Sequence, residues 1–278
     1  MISKLLLPTD FSEQAHYAFE VACQLAKQYK AQLHLIHLVE IPYSLINIID
    51  GNPNSELPEA FFFMKLAQQN FKKLKSEQFA EGVDLVENVS FSNIHSGILE
   101  YVEKHDIDAI VMGSHGSTGF EELFIGSNTE KVVRQSKVPV FVIKKQHVHF
   151  KIDTIVFATD LEKDNIEPLK QALLFAKTQN ATLKLVYINT PDRFEATDDI
   201  MLLFDKFAKD LEYDTLNFEI YNDLKVERGI MNYAKSQHAD LIALGTHGRK
   251  GLAHFLTGSL SEGLVNHAKR PVLTFKIS

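Results

Sequence analysis

An internal repeat constrains this chain more than any single motif. Leu5-Leu-Leu-Pro-Thr-Asp10 returns as Ile155-Val-Phe-Ala-Thr-Asp160, 150 residues on. Met112-Gly-Ser-His-Gly116 returns as Leu244-Gly-Thr-His-Gly248, and Pro139-Val140 as Pro271-Val272, both 132 residues on. Two copies of one unit therefore lie in tandem, and the first is longer internally by 150 − 132 = 18 residues. The polar stretch Lys144-Lys-Gln-His-Val-His-Phe-Lys151 separates them, which sets expected domains at 1–146 and 147–278.

Within each copy, short apolar runs alternate with longer stretches of helical period, the pattern of βαβ units around a parallel sheet covered on both faces. The expected class is α/β, with five strands per copy. These fall near 4–8, 32–39, 84–91, 108–113 and 139–143, then near 153–158, 182–188, 215–221, 240–245 and 271–275. The extra length of the first copy lies around 41–63 and holds Pro42, Gly51, Pro53 and Pro58, so part of it is expected to be loop. Phe61, Phe62, Phe63 and Met64 are expected to pack the following helix onto the sheet, with a ligand cap or partner surface as the alternative.

Composition narrows the setting. With 278 residues, 45% apolar and 23% charged, there is enough material for a sizeable core in each copy. Cys23 has no second cysteine to pair with, so stability rests on burial. A net charge of −7 argues against nucleic acid and anionic membranes as partners. No apolar run is long enough to span a bilayer, and Pro8 and Asp10 come too early for a secretion signal. Cytoplasmic residence is the expectation.

Eight of the 13 glycines fall in two windows, which is where a site is sought. Gly113, Gly116 and Gly126-Ser127 share their spacing with Gly245, Gly248 and Gly258-Ser259. Glycine lets backbone approach a ligand, and amides at a helix start favour anions, so the doubled spacing reads as a phosphate cradle. Ser127-Asn-Thr-Glu130 and Ser259-Leu-Ser-Glu262 also read as capping boxes, which accounts for each serine without a ligand. If strands one and four are neighbours, Asp10 meets Gly113 and Asp160 meets Gly245 at the sheet's switch point. There a carboxylate accepts bonds from a base amino group or a ribose hydroxyl; helix capping is the plainer role.

The histidines carry less. His115 and His247 lie inside the glycine windows without an evident orienting partner, so a packing role is expected. His147 and His149 are read as solvated rather than metal-binding. His34 and His37, three apart on a strand, face opposite sides.

Pro8-Thr-Asp-Phe-Ser12, Met112-Gly-Ser-His-Gly116, Gly126-Ser127 and Pro139-Val140 resemble the universal stress protein family. Thr159-Asp160, Gly245-Thr-His-Gly248, Gly258-Ser259 and Pro271-Val272 resemble a second copy. The resemblance implies two tandem Rossmann-like, adenine nucleotide alpha hydrolase-like domains that bind ATP, or AMP or ADP, with Mg²⁺. It implies base and ribose contacts from Asp10, Leu38 and Met112, and phosphate contacts from Gly113, Gly116, Gly126, Ser127 and Thr129. The matching positions are Asp160, Ile188, Leu244, Gly245, Gly248, Gly258, Ser259 and Ser261. It also implies that the copies pair through their Pro-led strands as an internal pseudo-dimer, with a homodimer as a further option.

The second copy departs from the family pattern after Thr159-Asp160, where Leu-Glu-Lys-Asp replaces Phe-Ser. Its glycine window carries Arg249 and Lys250, whereas the first carries Glu121 and Glu122, so polyphosphate is expected to prefer the second copy. A non-catalytic nucleotide-binding stress protein is the leading function. A slow ATPase or adenylyl-transferring enzyme and a scaffold with vestigial sites are the alternatives; no Gly-x-x-x-x-Gly-Lys-Ser/Thr motif supports the enzyme.

Overall fold

The computed structural model describes residues 2–40, 57–114, 126–211, 213, 216–246, 268 and 270–277, with the backbone alone over 57–60. Contacts divide the chain into two compact units: Met1–Phe120, Gly126–Val132 and Ile143–His149 bound the described residues of the first, while Val133–Val142 and the described residues from Phe150 on belong to the second.

The first unit contains β1 (Lys4–Pro8), α1 (Glu13–Tyr29), β2 (Gln32–Val39), α2 (Leu57–Lys75), β3 (Leu85–Phe91), α3 (Ile94–His105) and β4 (Ala109–Gly113). Its strands run parallel in the order β3-β2-β1-β4, with Leu5 opposite Leu33 on one side and Ala109 on the other. β4 is buried along its whole length, because helices cover both faces. α1 is started by Ser12, whose Oγ accepts the Ala15 N–H, and stopped by Lys30 in the left-handed region, whose N–H bonds the Ala26 and Lys27 carbonyls. Helix α4 (Ser127–Gln135) follows β4.

α2 corrects the expectation for the aromatic run. Its core face is Ala67, Phe71 and Leu74, all buried, with Phe71 only 1% exposed. Phe61, Phe62, Phe63 and Met64 sit on the preceding turns and are exposed, Phe61 at 70%. Four consecutive apolar residues point around the whole helix circumference, so a single face could never have buried them all.

The second unit contains β6 (Thr154–Ala158), α5 (Ile166–Gln179), β7 (Thr182–Asn189), α6 (Thr197–Leu211), β8 (Asn217–Asn222), α7 (Val226–Ser236), β9 (Leu241–Thr246) and β10 (Val272–Lys276). The parallel order β8-β7-β6-β9-β10 repeats the scheme of the first unit. β5 (Val140–Ile143) runs antiparallel to β10, with Phe141 opposite Leu273, so the sheet is mostly rather than wholly parallel. The two Pro-led segments thus pair with each other.

A shared staple fixes the first strand of each unit. Asp108 Oδ2 accepts the N–H groups of Ser3 and Lys4 at 2.6 and 2.9 Å, and Asp240 Oδ2 accepts those of Asp153 and Thr154 at 2.8 and 2.9 Å. Among the described residues no helix is long and apolar enough to cross a membrane.

Candidate functional site

Since β1 lies between β2 and β4, and β6 between β7 and β9, each unit has its switch point where the sequence anticipates it. The turn that leaves β1 is built by its own side chains. Thr9 Oγ1 accepts the Phe11 N–H at 3.0 Å, and Asp10 Oδ1 accepts the Ser12 N–H at 3.1 Å. Between them Phe11 takes φ 64°, a conformation that costs a non-glycine residue about 1–2 kcal/mol. Packing holds it there: the Phe11 ring lies 4.7 Å from His37 and 5.2 Å from Phe71, centroid to centroid. His37 Nδ1 lies 2.8 Å from the Thr9 carbonyl oxygen.

This turn delivers Asp10 to the rim of a cavity. Leu38, Met112, Ile36, Ile94 and Ile98 form its apolar wall, and Gly113, Gly126, Ser127, Asn128 and Thr129 its polar end. The structure therefore brings Asp10, Leu38, Met112, Gly113, Gly126, Ser127 and Thr129 together in one place. Gly116 lies outside the described residues, as do His115, Glu121 and Glu122.

At the polar end, Gly126 N–H bonds the Ser114 carbonyl at 2.8 Å, while its own carbonyl accepts the Glu130 N–H at 3.1 Å. That bond puts Gly126 at the N-cap position and Ser127 inside the first turn, which corrects the capping-box reading of Ser127. The first-turn amides of Ser127, Asn128 and Thr129 have no intrahelical carbonyl to meet and lie along the cavity. Thr129 donates its hydroxyl to the Gly113 carbonyl at 3.0 Å, so that group braces α4 against β4 and its proton is already committed.

Gly113 also has a structural reason to be glycine. A Cβ there would stand 2.9 Å from the Gln14 carbonyl carbon and oxygen. The first turn of α1 thus presses directly on β4 beside the cavity.

In the second unit the turn is copied bond for bond. Thr159 Oγ1 accepts the Leu161 N–H at 3.0 Å, Asp160 Oδ1 accepts the Glu162 N–H at 3.1 Å, and Leu161 takes φ 63°. The chain then diverges. A 3-10 turn over Lys163–Asn165 replaces the first helical turn, and α5 begins only at Ile166. Ile188, Leu244 and Gly245 are buried at the ends of β7 and β9. Burial, then the nearby Glu195 and Asp160 carboxylates, push the Tyr187 hydroxyl above its ordinary pKa. Gly248, Arg249, Lys250, Gly258, Ser259 and Ser261, with His247, lie outside the described residues, so the expected polyphosphate preference falls there too.

Among the described histidines, His149 is exposed, His147 is half-buried rather than solvated, and His34 and His37 take structural places. His34 is buried, with its ring nitrogens 2.9 Å from Tyr101 Oη and from Gln32 Oε1. Burial holds its pKa below the ordinary imidazole value. No cluster of three His, Cys, Asp or Glu side chains able to hold a metal occurs among the described residues.

The universal stress protein family model matches residues 1–144 and again residues 151–276. The chain belongs to the universal stress protein family. Universal stress protein MJ0577 of Methanocaldococcus jannaschii is 30% identical over 162 residues, covering 53% of this chain and 98% of that protein. Universal stress protein Slr1230 of Synechocystis is 22% identical over 294 residues, covering 99% of this chain and 100% of the relative. In fold, the chain is similar to a universal stress protein from Archaeoglobus fulgidus, with a TM-score of 0.68 at 19% identity, covering 99% of this chain and 96% of that one.

Ala15, Ile36, Ile94, Ile98 and Asn128 also line the first cavity, and motif reading passed over them. Ile94 and Ile98 had a signal, the i, i+4 spacing that places both on one face of α3.

Proposed function

We propose that the first copy, residues 1–146, binds an adenine nucleotide and that the protein acts in stress response as a nucleotide-responsive binding protein rather than an enzyme. The observation that carries this reading is the single cavity that unites a carboxylate, an apolar wall and a helix start. The flat apolar base fits between Leu38, Ile98 and Met112. Asp10 accepts from a ribose hydroxyl or a base amino group, and the phosphates lie over the first-turn amides of α4, where the helix dipole favours negative charge. ATP with Mg²⁺ is the preferred ligand, with AMP and ADP as close variants.

Asp10 is the sole titratable side chain among the described lining residues. Ribose contact occupies it, which leaves no general base in the described wall and favours binding over hydrolysis. The cytoplasm is the compartment this reading assigns, with a homodimer as a further assembly option.

Two measurements test the reading. Small molecules released by heating freshly purified protein are identified by mass spectrometry, with an adenine nucleotide as the expected result. Calorimetry with ATP and magnesium is then compared for wild type and Asp10→Ala, with at least about a tenfold loss of affinity expected, since a charge-assisted bond is worth about 1.5–3 kcal/mol. A chain that releases nothing and binds no nucleotide is a scaffold instead.

A further inference from the structure

A separate cavity of about 750 Å³ opens in the second unit where β7 and β8 end. None of its described lining residues is among the nucleotide positions expected in that copy. The local chain builds it. The Asp223 N–H donates to the Asn189 carbonyl at 3.1 Å, which carries the β7–β8 pairing one residue past β8. Asn189 also pins the loop that follows β7: its Nδ2 donates to the Glu195 carbonyl at 3.0 Å, and its Oδ1 accepts the Glu195 N–H at 3.2 Å. These two bonds hold the neighbouring Phe194 at the cavity, where it and Leu224 form an apolar wall although they are 73% and 61% exposed. Water-exposed apolar surface gathered in a concavity is what the apolar body of a ligand covers.

The polar side is one guanidinium held in a fixed orientation. Arg228 Nε donates to Asp223 Oδ1 at 2.5 Å, the Leu224 N–H bonds the same oxygen at 2.6 Å, and Asn232 Nδ2 donates to Asp223 Oδ2 at 2.8 Å. The Asp223 side chain is 4% exposed and that of Arg228 53%, so a buried carboxylate aims a guanidinium that reaches water. Burial raises the Asp223 carboxyl pKa, but the bonds from Asn232, Arg228 and Leu224 outweigh it and hold the group below the usual carboxylate range. The pair is therefore ionised at neutral pH. No hydrogen bond among the described residues uses the Arg228 Nη groups, so both remain as donors at the cavity.

The charge balance limits what fits. Asp223 offsets most of the guanidinium charge, and the start of α7, where Arg228 lies in the first turn, adds only about half a unit. One negative charge suits that balance and a polyphosphate does not. In the first copy Ser96 and Glu100, 132 residues earlier, stand where Arg228 and Asn232 do, so this fork belongs to the second copy alone.

We propose that this cavity binds a small organic monocarboxylate, with its carboxylate on the Arg228 Nη groups and its apolar body against Phe194 and Leu224. A planar guanidinium fork matches a carboxylate in shape as well as charge. The site stands apart from the nucleotide reading above.

The test is a titration of the full chain with phenylacetate by calorimetry and ligand-observed NMR, beside its neutral amide, phenylacetamide, and inorganic phosphate. Phenylacetate is expected to bind with a Kd of about 1 mM or tighter, and phenylacetamide at least about tenfold more weakly. Arg228→Lys keeps a cation beside Asp223 but loses the fork, and Phe194→Ala changes an exposed side chain. Each is expected to weaken phenylacetate at least about fivefold with an unchanged thermal melt. If Arg228→Lys melts early, Phe194→Ala decides. No binding of phenylacetate, equal binding of the amide, or tighter binding of phosphate overturns the proposal. So does phenylacetate bound equally by wild type and the folded variants, including the case where ATP with magnesium displaces it, which puts the acid in the first copy's cavity.

Discussion

The turns after Asp10 and Asp160 are identical through two side-chain caps and one left-handed residue, and then part company within three residues. In the first unit Ser12 caps α1 at once, and the helix backbone itself packs on Gly113. In the second a 3-10 turn intervenes, and a side chain, Asn165, packs on Gly245. Duplicated motifs thus preserve the turn without preserving the contact beside the glycine. What differs is whether backbone or a removable side chain fills the space beside the glycine.

The sharpest way to break this comparison is to add one methyl group at each glycine. Gly113→Ala drives a Cβ into the backbone of α1, which cannot swing aside, so a loss of about 2–3 kcal/mol in urea unfolding is expected. Gly245→Ala meets only the ends of Asn165 and Ile277, and a loss below about 1.5 kcal/mol is expected because those side chains can turn away. Equal losses would mean that both glycines meet the same obstacle.

A smaller contrast lies in the carboxylates. Asp10→Ala should cost nucleotide affinity as described, whereas Asp160→Ala should leave it within about twofold, because Asp10 and not Asp160 lines the proposed cavity. Calorimetry on both variants decides this.

The exposed aromatics of α2 give a contrast inside one helix. Phe61→Ser should shift unfolding by no more than about 0.5 kcal/mol, given its 70% exposure.

The gentlest effect concerns acid. Burial raises the Asp108 carboxyl pKa, but the Ser3 and Lys4 hydrogen bonds outweigh it and hold the group below the usual carboxylate range. Its stabilisation is therefore fully present above the ordinary carboxylate value and is lost as pH falls through the lowered folded value. Urea midpoints at neutral and acid pH should converge slightly in Asp108→Asn relative to wild type. A variant as acid-sensitive as wild type would place the effect elsewhere.

Most of the fold was legible in the chain. The apolar runs at 4–8, 32–39, 108–113 and 182–188 became β1, β2, β4 and β7 within a residue or so, because strands covered on both faces must be apolar along their whole length. The glycine spacing and the two aspartates located the switch points. Sequence misplaced Ser127 as a cap because the repeat Ser-x-x-Glu says nothing of which residue's carbonyl takes the first helical bond. Phe61–Met64 were assigned inward because apolar composition alone does not tell which turns of a helix overlie a sheet.

The amino-acid order by itself determined the duplication, the α/β alternation and the family, since periodicity and spacing are properties of the chain. What packs beside each glycine was decided only in three dimensions. Pro168 delays the α-helix by one turn, and that local shift sets a side chain on Gly245 only because β6 and β9 are neighbours, bringing Asp160, Asn165 and Gly245 within contact of one another.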